Sequence, residues 1–95
     1  MYDIKEVKSM GDIFINNLPT LDLHGYDRET ARVAINDFIN DNLRMKKPKI
    51  LIIHGKGTGV LRITTKETLS KNKYVIKAQT SIFNEGCTIV DLKIK

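Results

Sequence analysis

Twice in this chain an apolar run stops at a His-Gly pair and gives way to a stretch with helical spacing: Leu21-Asp22-Leu23-His24-Gly25, and then Ile50-Leu51-Ile52-Ile53-His54-Gly55. A strand followed by a helix, repeated, confines a chain to α/β architectures, because parallel strands need right-handed helical crossovers between them. The repeat also places both histidines at strand carboxyl ends, the rim where open α/β sheets hold ligands. No other histidine is present.

Side chains alternate along a strand, so Leu21 and Leu23 share one side of the first run while Asp22 and His24 share the other. Carboxylate and imidazole thereby become neighbours. After the turn at Gly25 and Tyr26, Asp27 is placed to cap a helix, and Ala31, Ala34, Ile35, Phe38, Ile39 and Leu43 recur at three- and four-residue spacing. That spacing predicts an amphipathic helix from 28 to 45, ended by Lys46, Lys47 and Pro48. The unbroken apolar run 50–53 predicts a central strand. A second helix, weaker on propensity because of its threonines, is expected over 60–70, with Val60, Leu61, Ile63 and Leu69 as its apolar contacts. Strands over 74–79 and 87–94 complete the order, close enough together for an antiparallel hairpin. The expected fold is therefore a two-layer α/β sandwich, β-α-β-α-β-β, with two helices on a mixed four-stranded sheet. Both crossovers are expected to join parallel neighbours.

A chain of 95 residues supports one hydrophobic core. We assign it to residues 19–95 and read 1–18 as an N-terminal arm, in which Ile13-Phe14-Ile15 suits a short strand or a hook. No apolar stretch approaches the roughly 20 residues of a membrane span, and acidic residues interrupt the N-terminus where a signal peptide would be apolar. A cytoplasmic monomer is expected. The lone Cys87 excludes an intrachain disulfide and suits a small buried position. The net charge of +5 is unevenly spread: residues 44–77 carry ten lysines and arginines against Glu67 alone, and acidic residues outnumber basic ones elsewhere. A molecule polarised in this way steers polyanions to one side.

Inside the basic window lies Gly55-Lys56-Gly57-Thr58-Gly59. Glycines permit positive φ and close backbone approach, and the N–H groups opening the next helix attract an anion. Lys56 adds a full charge. The spacing fits neither the Walker loop nor the dinucleotide fingerprint, which leaves a polynucleotide phosphate as the better occupant. Asp22 and His24 supply acid-base chemistry for a phosphodiester, since histidine titrates nearest neutrality and an adjacent aspartate can hold its tautomer or bind a divalent metal such as Mg or Mn. His54, on the neighbouring strand, is expected to bracket the same phosphate. Structural zinc is disfavoured, because only Asp22 is well placed to join the two histidines.

Three ordered blocks carry a resemblance that covers most of the chain, from Leu21 to Leu92. Leu21-Asp22-Leu23-His24-Gly25 resembles the LDxHG signature of the small MutS-related (Smr) domain family. The stretch from His54 to Gly59, followed by Val60, Leu61 and Arg62, resembles its central HGxGxG signature. Gly86 to Leu92 is similar to its closing strand. The resemblance implies a fold like the C-terminal domain of bacterial translation initiation factor three, and an endonuclease or binding activity on RNA or DNA. It implies cleavage by Asp22 and His24, and nucleic-acid binding by His54, Gly55, Lys56, Gly57, Thr58 and Gly59. Arg62, which closes the same block, is grouped with them by the resemblance. Two readings stand: an endonuclease, and a non-catalytic module that docks the same basic face on nucleic acid or the ribosome.

Overall fold

The computed structural model describes residues 17–81 and 85–94. The expected arm lies outside the described residues except for Asn17 and Leu18. Along the chain come β1 (Thr20–Asp22), α1 (Arg28–Arg44), β2 (Lys49–Ile53), α2 (Val60–Ser70), β3 (Val75–Thr80) and β4 (Cys87–Leu92). The expected order of elements holds. The strands form one sheet in the order β1-β2-β4-β3, with β1 parallel to β2 and β4 antiparallel to both its neighbours.

That order corrects one expectation. The second crossover joins strands that point the same way but are not neighbours, because β4 lies between β2 and β3. Solvation explains the insertion: Cys87, Thr88, Val90 and Leu92 of β4 are all buried, whereas β3 is exposed along nearly its whole length. The more apolar strand takes the centre. β3 carries Lys77 and a register shift between Val75 and Lys77, both of which discourage further strand pairing at an open edge.

The core lies on one face of the sheet. Leu23, Ile50, Ile52, Val90 and Leu92 meet Ala31, Ile35 and Ile39 of α1 and Leu69 of α2. Each of the leucine, isoleucine and valine side chains contributes about 1.5–3 kcal/mol on removal from water. Leu51 and Cys87 are also buried but stand outside this cluster, as alternation puts them on the opposite, helix-free face.

α1 starts where expected, with the Asp27 carboxylate accepting the Thr30 N–H at 2.7 Å, and ends at Arg44. Lys46, at φ +58, reverses the chain, and Lys47 N–H donates to Asn42 O at 2.8 Å. α2 buries Leu69 and packs Leu61 against the core as expected, but not Val60 and Ile63. Val60 and Ile63 are exposed, while Thr64, Thr65, Thr68 and Leu69 face inward. Threonine methyls pack, and the Thr65 hydroxyl is satisfied by donating to Leu61 O at 2.7 Å. Among the described residues no helix is long and apolar enough to cross a membrane.

Candidate functional site

β1 stops at Asp22, short of the expected His24, because the Asp22 carboxylate accepts the His24 N–H at 2.9 Å and bends the chain there. Tyr26 N–H then donates to Leu23 O at 3.0 Å, closing a four-residue turn with Gly25 at φ +82 in its third position. This is the geometry of a type II turn, which needs glycine there. Asp22 and His24 do come together, but through a backbone bond rather than strand alternation. Both are exposed, and so is Tyr26. Asp22 lies in register with Ile53, and Ile53 with Cys87, on the helix-free face. Burial pushes the Cys87 thiol up, and the charge of Asp22 pushes it the same way.

The glycine hook leaves the end of β2 beside this turn, since Leu23 N–H donates to Ile53 O at 2.9 Å. Gly55 and Gly59 sit at φ +78 and +88, a region L side chains rarely adopt, and Gly59 is the N-cap of α2. A glycine brings no capping side chain, and the first turn of α2 holds no carboxylate. Its positive end therefore has no acidic partner within its own first turn. The Thr58 hydroxyl accepts one N–H, that of Val60, at 3.3 Å. Lys56, Gly57 and Thr58 are exposed, and Arg62 folds back so that its Nη2 lies 3.9 Å from the point where a Cβ on Gly59 would stand. The hook thus gathers a lysine, an arginine and unclaimed helix dipole at one rim.

His54 is a correction. It was expected to bracket a phosphate together with His24, yet it is only 7 % exposed and both ring nitrogens are engaged within the protein. Nδ1 lies 3.0 Å from Gly55 O, which can only accept, so Nδ1 carries the proton; Nε2 lies 2.8 Å from the Thr88 hydroxyl. Gly86 O accepts the N–H groups of His54 and Gly55 at 2.8 and 2.9 Å. His54 is the pin that holds the base of the hook to β4, and Thr88 and Gly86 are its partners. Both lie in the closing-strand block, and only the pairing of β2 with β4 brings them to the site.

Among the described residues no group of three or more His, Cys, Asp or Glu side chains gathers as a metal cage. Asp22 is the carboxylate that braces the His24 turn, and the Asp27 carboxylate is taken by the Thr30 N–H. The residues present therefore fit only an ion shared with substrate phosphates, in the manner of weakly held Mg or Mn.

Comparison with known proteins agrees with this fold. The family model described as Smr domain matches residues 21–93. The protein named Endonuclease MutS2 from Geobacillus sp. (strain WCH70) is 43% identical over 76 residues, which is 77% of this chain and 10% of that one. The protein of the same name from Alkaliphilus metalliredigens (strain QYMF) is 37% identical with the same coverage. This chain thus spans about a tenth of the length of the curated relatives it matches. Among solved structures, the Smr domain of Thermus thermophilus MutS2 has a TM-score of 0.76 at 26% identity, covering 79% of this chain and 98% of that one. YdaL, a stand-alone small MutS-related protein from Escherichia coli, has a TM-score of 0.74 at 25% identity, covering 78% and 63%.

Proposed function

The chain belongs to the Smr domain family, and from that premise we propose that it is an endonuclease that cleaves phosphodiester bonds, with RNA the favoured substrate and DNA the alternative. One observation carries the reading: an exposed imidazole on a turn braced by a carboxylate stands at the same strand ends as an exposed, cationic glycine hook. In RNA the 2′-hydroxyl is an internal nucleophile. His24 takes its proton as the oxygen attacks phosphorus; the bond to the 5′-oxygen breaks, and that oxygen leaves with a proton from the imidazolium or from water. The products are a 2′,3′-cyclic phosphate and a 5′-hydroxyl. Asp22 fixes the backbone that presents His24. Lys56, Arg62 and the N–H groups of the hook stabilise the charge that builds on the phosphoryl oxygens. His54 contributes by holding the hook in shape.

A second reading, a module that binds nucleic acid or the ribosome without cutting, draws on the engagement of His54, which leaves one imidazole at the rim where acid and base are both required. Purified protein incubated with end-labelled RNA and DNA separates the two. The endonuclease nicks RNA in EDTA and leaves a cyclic phosphate, while His24→Ala lowers cleavage by at least about 10²-fold and retains binding. Cleavage undiminished in that variant, or none by the wild type, overturns the assignment. A dependence on added Mg or Mn would place an ion at Asp22.

A further inference from the structure

The rim accounts for Lys56 and Arg62 but leaves much of the basic charge without a task. Part of it lines a groove of about 550 Å³ between α1 and α2, on the side of the helix layer. Both helices follow strands that point the same way, so they run side by side with their first turns at the rim. Arg28, the first residue of α1, stands at the upper end of the groove only four positions after His24. Asn40, twelve residues on, stands about 18 Å further down.

We propose that this groove is a second nucleic-acid site that carries the single strand flanking the scissile phosphate. The proposal rests on the endonuclease reading, and it extends the contact from one phosphate to several nucleotides. Four cations line the groove, Arg28, Arg32, Lys71 and Lys73, against Glu29 and Glu67. Glu29 is engaged with Arg32. Arg28 and Lys71 have no ion-pair partner among the described residues. Side-chain amides stand between these charges. Asn72 Nδ2 donates to Asn36 Oδ1 at 3.2 Å and its Oδ1 accepts the Tyr74 N–H at 2.9 Å, which leaves the amide hydrogens of Asn36 and both ends of Asn40 for a base edge. At the lower end Tyr74 offers a half-buried ring, with Lys73 Nζ 5.4 Å from its centroid.

Tyr74 also lines a second hollow of about 320 Å³ that carries Lys46 and Lys93. The path therefore continues past the ring toward the end of the sheet opposite the rim. Cations, amides and an aromatic ring along one groove are what a single strand requires: charge for phosphates, amides for base edges and a surface for stacking. A duplex is too wide for the space between two packed helices. An acidic peptide would use the cations and leave the amides and the ring unused.

The test measures fluorescence anisotropy with 2′-O-methyl RNA, which cannot be cut, in lengths of about 4 and about 12 nucleotides. The wild type binds the longer strand at least about tenfold tighter. The triple variant Arg28→Glu, Lys71→Glu, Lys73→Glu, all at exposed positions, loses that advantage, and its salt slope on the longer strand falls by about 2. It still cleaves unmodified short RNA at the wild-type rate. In NMR titrations the side-chain amides of Asn36, Asn40 and Asn72 shift with the longer strand and not with the shorter. A length advantage kept by the triple variant, or absent from the wild type, overturns the groove while cleavage of short RNA leaves the parent reading intact. Loss of both binding and cleavage at every length in the wild type overturns both. Equal displacement of the long strand by a polyglutamate peptide of matched charge would assign the groove to an acidic protein instead.

Discussion

Gly57 separates binding from folding. Gly55 and Gly59 hold positive φ, so alanine at either position strains the backbone by about 1–2 kcal/mol. Gly57 has neither positive φ nor any atom within 4 Å of where a Cβ would stand. Gly57→Ala should therefore leave the melting temperature unchanged or raise it slightly through lost unfolded-state entropy. If a phosphate approaches that backbone, the same change weakens oligonucleotide affinity about tenfold, whereas Gly59→Ala lowers stability as well. Thermal melts paired with anisotropy check both. The two histidines show at the same scale how far residue identities could be read. Leu21 and Leu23 bracket Asp22, so the side taken by Asp22 is legible from alternation alone. Ile50 to Ile53 are all apolar, so nothing before His54 reveals which face it takes; parity puts it with Ile50 and Ile52, under the helices. Only the pairing of β2 with β4 brings it against Thr88.

Helices and strands were legible wherever a period was clean, and Asp27 is where the legibility of α1 can be tested. Its bond from the Thr30 N–H holds the carboxyl below the ordinary carboxylate value of 3.8. A folded-state pKa lower than the unfolded one contributes stability that is fully present above about pH 4 and is lost as the pH falls through the folded value. The gap in melting temperature between wild type and Asp27→Ala should hold steady from neutral pH to about 5 and narrow below about 4; a gap that does not change with pH would refute the charge component of the cap. α2 was harder. Its two stripes, one with Val60 and Ile63 and the other with Leu61, Thr65, Thr68 and Leu69, have similar apolar content, and the Thr65 hydroxyl, which bonds to its own helix and so becomes buriable, favours the second. The place of β4 between β2 and β3 was hidden for another reason: hairpin proximity fixes which strands touch, while the free energy of burying both faces decides which one is flanked twice.

At the scale of the molecule, basic charge gathered on the hook and the inter-helix groove makes association with a polyanion a matter of counterion release. Affinity should fall steeply and log-linearly with salt, and Lys56→Ala should reduce the slope by about 1 while weakening all sequences alike; a slope near zero would remove phosphate contact from the account. The insertion of β4 has a consequence for the order in which this machinery becomes whole. Translation makes β4 after the other three strands, yet β4 supplies Thr88, which pins His54, and Gly86, just before it, supplies the carbonyl that gathers two N–H groups at the base of the hook. A nascent or truncated product that stops short of Cys87 already contains Asp22, His24 and Lys56, but it has a split sheet and a slack hook. Completion of the rim therefore waits on β4, and a product cut before Cys87 should bind oligonucleotides more weakly than one that carries it.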